Sequence, residues 1–227
     1  NNYYGTEDTS DLPYQKIIES KIGDFNGDGS DDFIFTDGVN LWVMDKNGSI
    51  IYNEKILANG AFPFIDLEIG NFTDSPGVDI LIAGYNFYIT GNDFFTIYSY
   101  PGIDVLTVET PIGQIDVANI DPNNPYDEII LTNYTSRNNP STVYVYNSKG
   151  EILWRFNDTL RNIPTQIDKI AVGYDLDGDG LDDDIVGFNA NNNPYWNITI
   201  YAIDESGNLI YLYCLPKINT YDFADLY

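Results

Sequence analysis

Two stretches of the chain concentrate hard oxygen donors at alternate positions, Asp24 to Asp32 (DFNGDGSDD) and Asp175 to Asp183 (DLDGDGLDD). A tight loop can direct alternate side chains inward while glycine lets the backbone turn around them, and Ca2+ takes about six to eight oxygen ligands. Calcium binding is therefore the chemistry these residues suit. In the first loop Asp24, Asn26, Asp28 and Asp32 supply side-chain oxygens and Ser30 a carbonyl. In the other, Asp175, Asp177, Asp179 and Asp183 do so, with the carbonyl of Leu181. An EF-hand begins in the same way but needs a bidentate Glu at its twelfth position. Phe35 and Val186 stand there instead, inside apolar runs. Asp and Gly also favour plain solvated turns. Carboxylates crowded into one short loop repel each other without a cation, which favours the metal.

The same nine-residue frame occurs twice more, as Asn71 to Asp79 (NFTDSPGVD) and Asn119 to Asp127 (NIDPNNPYD), with starts separated by 47, 48 and 56 residues along the chain. Asn119, Asp121, Asn123 and Asp127 form a weaker candidate set with two charged members. Asn71, Thr73, Ser75 and Asp79 include one carboxylate, so this loop is expected to be a hydrogen-bonded turn. Two calcium sites are expected, and the weaker set is a candidate for a third.

The elements that position these loops repeat with them. IESKIG, IDLEIG, IDVA and IDKIAVGY precede the loops, and FIF, ILI, EIIL and DIVGF follow them, which reads as strand, loop, strand. Further on, each repeat carries a hairpin: LWVMDKNGSIIY, TIYSYPGIDVL, VYVYNSKGEILW and ITIYAIDESGNLIY. Its turn contains Asn47-Gly48, Pro101-Gly102, Lys149-Gly150 or Gly207-Asn208, each with a residue that readily takes positive φ. No helical periodicity is sustained. A unit of about fifty residues with four short strands cannot bury both faces alone, and radial stacking of such sheets makes a propeller. The expected fold is all-β, a single β-propeller domain of four blades, each of about four antiparallel strands. The repeats span roughly 14–61, 62–109, 110–164 and 165–217, leaving 218–227 as an extra strand. A β-sandwich with similar loops is the alternative.

Thirty-five acidic residues against ten basic ones give a net charge of −25. Nucleic acid and anionic lipid are poor partners for such a surface, because both need Lys or Arg to displace counterions. No run is long and apolar enough to span a bilayer. The first residue is Asn, which fits an extracellular or cell-surface protein after removal of an N-terminal signal. Sequons stand at Asn47, Asn71, Asn133, Asn157 and Asn197 and permit N-glycosylation, although so Asn-rich a chain generates some by chance. The lone Cys214, in YLYCL, reads as a small buried hydrophobe.

DFNGDGSDD and DLDGDGLDD resemble the calcium loops of FG-GAP/VCBS repeats, the blade units of integrin-α-like propellers and many secreted microbial proteins. The resemblance implies Ca2+ bound by the odd-numbered loop positions and the ninth, and an extracellular setting. It transfers to the first and fourth loops and weakly to the third. Phe-Gly and Gly-Ala-Pro words are not evident, and integrin-type rings usually have seven blades against the four counted here.

The chain has no His, which excludes imidazole bases, His-ligated zinc and His-ligated haem. A carboxylate pair could still do glycosidase work, but no pair stands out, and no nucleophile elbow or phosphate-cradling motif is present. The expected role is therefore that of a self-assembling surface or filament component rather than an enzyme. A monomeric adhesin or carbohydrate-binding module is the alternative, and a polysaccharide-active enzyme a more distant one. Tyr3, Tyr4, Tyr195 and Trp196 are candidate surface platforms, while Trp42, Tyr144, Trp154 and Tyr201 are expected between blades. The tail NTYDFADLY looks like another leading strand, so four blades have five such strands. The spare one can close its own ring or pair head-to-tail with a neighbour's sheet edge.

Overall fold

Alternation of apolar residues beside each acidic loop produces strands whose faces differ. In DFIFT, Asp32, Ile34 and Thr36 are buried while Phe33 and Phe35 are partly covered. In a computed structural model the described residues are 17–56, 64–86, 92–101, 103–109, 113–121, 123–132, 142–157, 169–176, 178, 184–190 and 198–215. Among them there is no helix.

The first sheet contains β1 (Glu19–Gly23), β2 (Asp32–Thr36), β3 (Asn40–Met44) and β4 (Ile50–Lys55). The second contains β5 (Phe64–Gly70), β6 (Asp79–Asn86), β7 (Asn92–Ser99) and β8 (Ile103–Glu109). The third has β9 (Gln114–Ala118), β10 (Glu128–Thr132), β11 (Thr142–Tyr146) and β12 (Ile152–Asn157). The fourth has β13 (Lys169–Tyr174), β14 (Asp184–Ala190), β15 (Ile198–Ile203) and β16 (Leu209–Leu215). Every sheet is an antiparallel meander in chain order. Residues 218–227, the proposed extra strand, lie outside the described residues, as do Tyr3, Tyr4, Tyr195 and Trp196 and the side chain of Cys214.

The outer hairpins share one turn. In three of them an amide at the start bonds the carbonyl four residues on: Asp45 to Ser49 (2.9 Å), Asn147 to Glu151 (3.0 Å) and Asp204 to Asn208 (2.9 Å). Gly48, Gly150 and Gly207 take φ of 82°, 76° and 81° at the fourth position, and the register shifts by a residue beside each turn. Positive φ costs a residue with a Cβ, so glycine sets this bulged hairpin.

The first strands β1, β5, β9 and β13 lie against one another in series, which makes them the inner strands of four blades. Between successive blades lie three apolar cores. Phe25, Ile34, Leu41 and Val43 of blade 1 meet Leu67, Ile80, Ile82 and Tyr98 of blade 2. Phe72, Leu81, Phe95 and Ile97 of blade 2 meet Ile115, Ile129, Leu131 and Tyr146 of blade 3. Ile120, Ile130, Val143 and Val145 of blade 3 meet Ile170, Ile185, Tyr201 and Ile203 of blade 4. Tyr144, Trp154 and Tyr201 pack between blades as expected. Trp42 does not: it stacks on Phe35, 6.3 Å between ring centroids, outside these cores. The physical reason is register, because Trp42 alternates with Leu41 and Val43, which take the face toward blade 2.

Ile130 is fully buried in the third core. Ile130→Ala should destabilise the fold by about 2–5 kcal/mol, whereas Ile152→Ala, at a site 52% exposed, should stay within about 0.5 kcal/mol. Thermal denaturation of the two variants against the parent checks this.

Candidate functional site

Each acidic loop joins the inner strand of a blade to its second strand, so all four occupy the same place in the repeat. In the first loop the side chains fold onto the backbone. Asp24 accepts the amides of Gly27 (2.8 Å) and Asp28 (3.0 Å) on Oδ1 and of Gly29 (2.8 Å) on Oδ2. Asn26 Oδ1 accepts from Asp28 N and Asp28 Oδ1 from Ser30 N, both at 2.8 Å. Asp32 is buried and accepts the amide of Phe25 (3.1 Å), which ties the loop's end to its start. Lys46 Nζ donates to Ser30 Oγ at 2.7 Å. Burial raises the Asp32 carboxyl above its ordinary value, and the neighbouring Asp28 and Asp24 charges raise it further.

The second loop closes without a cluster of charge. Asp79 Oδ2 accepts the amides of Phe72 (2.8 Å) and Thr73 (2.7 Å), and its Oδ1 lies 3.1 Å from Thr73 Oγ1 and 2.8 Å from Ser75 Oγ. Hydroxyl donors stand where the first loop has Asn26 and Asp28, giving the hydrogen-bonded turn its composition implies.

The third loop is longer by one residue. Ala118 pairs with Glu128, where Gly23 pairs with Asp32 and Gly70 with Asp79. The fully buried Glu128 therefore takes the closing role, accepting Ile120 N at 3.0 Å and Asn124 Nδ2 at 2.7 Å. Asp127 turns instead to the neighbouring loop: it accepts Asn71 N at 2.7 Å and donates its own amide to Asn71 O at 2.9 Å. Asp121 holds Asn123 N at 3.0 Å, and Asn119 donates to the Asn124 carbonyl at 3.2 Å. The four residues of the weaker set are thus divided between two loops. Glu128 heads the run EIIL as Asp32 and Asp79 head theirs, the one signal that could have singled it out.

In the fourth loop Asp175 Oδ1 accepts the amide of Gly178 at 2.7 Å, the same bond Asp24 makes to Gly27. Asp177, Asp179, Leu181 and Asp183 lie outside the described residues. Tyr174 pairs with Asp184, which places Asp184 at the strand position of Asp32. Of the sequons, Asn47 is an exposed turn residue and Asn71 donates to Pro125 O at 3.0 Å. Asn133 and Asn197 and the side chain of Asn157 lie outside the described residues.

As a donor set the first loop fits a hard cation, since Asp24, Asn26, Asp28 and Asp32 each turn a side-chain oxygen toward the loop backbone. Among the described residues no three acidic side chains converge as a group able to hold a metal. The loop's own amides take up the carboxylates instead. Adapting the loop to Ca2+ would exchange some of those amide bonds for metal–oxygen contacts.

The inner strands form a second acidic feature, one that the loop pattern gives no hint of. Lys21 pairs with Glu68 across blades 1 and 2 at 2.6 Å. Asp66 accepts the amide of Ile115 in blade 3, and Asp116 that of Val172 in blade 4. Burial pushes the carboxyls of Asp66, Glu68 and Asp116 above their usual range despite these bonds. They staple inner strands to one another.

No family model matches the chain, and no curated protein matches it. Among solved structures it is similar to the V. cholerae biofilm matrix protein Bap1, at 15% identity and a TM-score of 0.55 over 86% of this chain and 28% of that one. It is also similar to the Dos1 propeller, at 13% identity and a TM-score of 0.55 over 87% of this chain and 48% of that one. A eukaryotic initiation factor matches at 10% identity and a TM-score of 0.56, over 89% and 44% of the two chains. At these identities the likeness is one of fold, and the chain spans less than half the length of each. Together with the four antiparallel sheets, it makes this chain a four-bladed β-propeller.

Two predictions follow from these carboxylates. Glu128→Ala strips the Ile120 amide of its buried partner and should cost about 1–3 kcal/mol more than Asp127→Ala, as read by chemical denaturation. Asp66, Glu68 and Asp116 have folded-state values above their unfolded ones, so the folded protein binds the extra protons. Their contribution is fully present below the unfolded values and is lost as pH rises through the folded ones. The melting temperature should therefore rise as pH falls from neutral toward the ordinary carboxylate range. Below about 4 it should fall, because Asp37, held under its ordinary value by bonds from Asn40 and Val39, then protonates. A melting series across this range checks the sign.

Proposed function

We propose that this protein is an extracellular, calcium-stabilised structural or interaction protein of the FG-GAP/VCBS kind, one that assembles with itself at a cell surface or in a filament. The observation that carries the proposal is the shared place of the acidic loops. Oxygen-rich sequences recur between the same two strands of each blade, and the two richest, beginning at Asp24 and Asp175, make the same Asp-to-Gly turn. A cation there would be held by Asp24, Asn26, Asp28 and Asp32, or by Asp175, Asp177, Asp179 and Asp183. Its chemistry would be neutralisation of crowded carboxylates, with no reaction attached. The biofilm matrix protein Bap1 has this fold in part, which supports a structural use of it. The absence of His and the engagement of the described loop acids with backbone amides favour a building block over an enzyme.

Ligand that binds only the folded state adds stability by mass action, about 2.7 kcal/mol per site at a hundredfold excess over Kd. Millimolar Ca2+ should raise the melting temperature, EDTA should reverse it, and Asp24→Asn with Asp28→Asn should halve the gain. An identical melt with calcium and with EDTA, at low ionic strength, would sink the calcium part of this reading.

A further inference from the structure

Among the described residues each interior blade packs against a neighbouring blade on both faces, whereas blades 1 and 4 each carry one face with no described blade against it. In blade 1 it is the face opposite the first core: Phe33, Phe35, Trp42 and Met44, each partly covered, and Ile22, which is 66% exposed. Phe33 stacks on Phe35 at 5.1 Å, and Phe35 on Trp42, so the face is an aromatic plate. By register Ile22, Phe33 and Met44 match Ile69, Ile80 and Tyr98 of blade 2 and Val117, Ile129 and Tyr146 of blade 3, residues that lie in or against the interblade cores. In blade 4 the outward face bears Tyr211 and Tyr213, 46% and 54% exposed, beside the buried Ala202.

Glycines at equivalent places record the same difference. A methyl group placed on Gly150 of blade 3 would come within 2.6 Å of Val108 in blade 2, and one on Gly207 of blade 4 within 2.8 Å of Trp154 in blade 3. At Gly48, the matching turn of blade 1, it would meet nothing within 4 Å. On the forward side, Gly27 of blade 1 lies against Pro76 of blade 2, whereas its counterpart Gly178 in blade 4 has nothing within 4 Å. At these two glycines, Gly48 of blade 1 and Gly178 of blade 4, no neighbouring blade is in contact.

We propose that the exposed face of blade 4 in one copy stacks on the exposed face of blade 1 in a second copy, continuing the blade-on-blade packing that the chain makes three times internally. The occupant suited to each bare face is the other, because in every internal junction a forward face meets a backward face of the next repeat. Two copies are the smallest assembly that covers all four such faces, with two equivalent junctions about a twofold axis; a rotation that fails to close yields a growing stack. This deepens the self-association in the proposed function but locates it on blade faces, not on the tail strand.

The test is sedimentation of the full chain in about 0.15 M salt, which screens its negative charge beyond roughly 8 Å, with Ile22→Lys and Tyr213→Lys as probes. Both positions are exposed within one chain, so the fold survives substitution, as circular dichroism verifies. The parent should sediment as a dimer or larger species. Each variant alone should dissociate to the 25.6 kDa chain, its dissociation constant raised more than about tenfold by the lysine buried at every junction. An equimolar mixture of the variants should recover a dimer, since one intact blade 4 face then meets one intact blade 1 face. A parent that stays monomeric overturns the proposal. So does an assembly indifferent to both lysines; if that assembly is lost on deleting residues 218–227, self-assembly stands and only the face-to-face junction fails.

Discussion

A four-stranded antiparallel sheet has two faces, and a repeat of about fifty residues has no second layer with which to cover either. Every interior blade solves this by lending one face to each neighbour. Phe25, Ile34, Leu41 and Val43 are buried only because Leu67, Ile80 and Ile82 stand opposite them, and those in turn share a sheet with Leu81 and Ala83, which are buried against blade 3. Burial is thus a property of junctions between repeats. At about 25 cal/mol per Å2 of apolar area, each junction is the principal source of stability for the blades it joins.

The acidic loops and inner strands fit into this stacking. A carboxylate at the first residue of the second strand, Asp32, Asp79 or Glu128, reaches back to an amide at the loop's start. Buried amides at such turns otherwise go without partners. Bonds between loops then follow the stacking: Val78 N to Asp24 O at 2.8 Å, and Asp127 N to Asn71 O at 2.9 Å. The same acids that satisfy these donors give the protein its high negative charge, and several are held partly out of water, where ionisation is unfavourable. A cation in the loops would relieve that cost.

Much of the fold is legible in the residues. Gly48, Gly150 and Gly207 mark the outer hairpins because positive φ is needed there, and period-two alternation marks the strands beside them. The loop motif specifies donor chemistry in the same local way, residue by residue. Where the spacing changed, the local frame misled. Aligning Asp127 with Asp32 and Asp79 assumes loops of equal length, but strand pairing places Glu128 at that point and sends Asp127 to Asn71 in the adjacent loop.

The sequence by itself determined the four repeats, their strands and turns, and the oxygen-rich character of the loops, because each depends on residues within a few positions of one another. Which face of each sheet is covered was decided only in three dimensions. Trp42 and Tyr201 occupy corresponding strands and read alike as core aromatics, yet Tyr201 is fully buried against blade 3 while Trp42 lies partly covered on the face of blade 1 turned away from blade 2. The pairing of Lys21 with Glu68, and of Asp66 and Asp116 with amides of the following blade, likewise arose only when inner strands came side by side. Composition records what a side chain can do, but a neighbour roughly fifty residues away supplies the surface that gives it something to do.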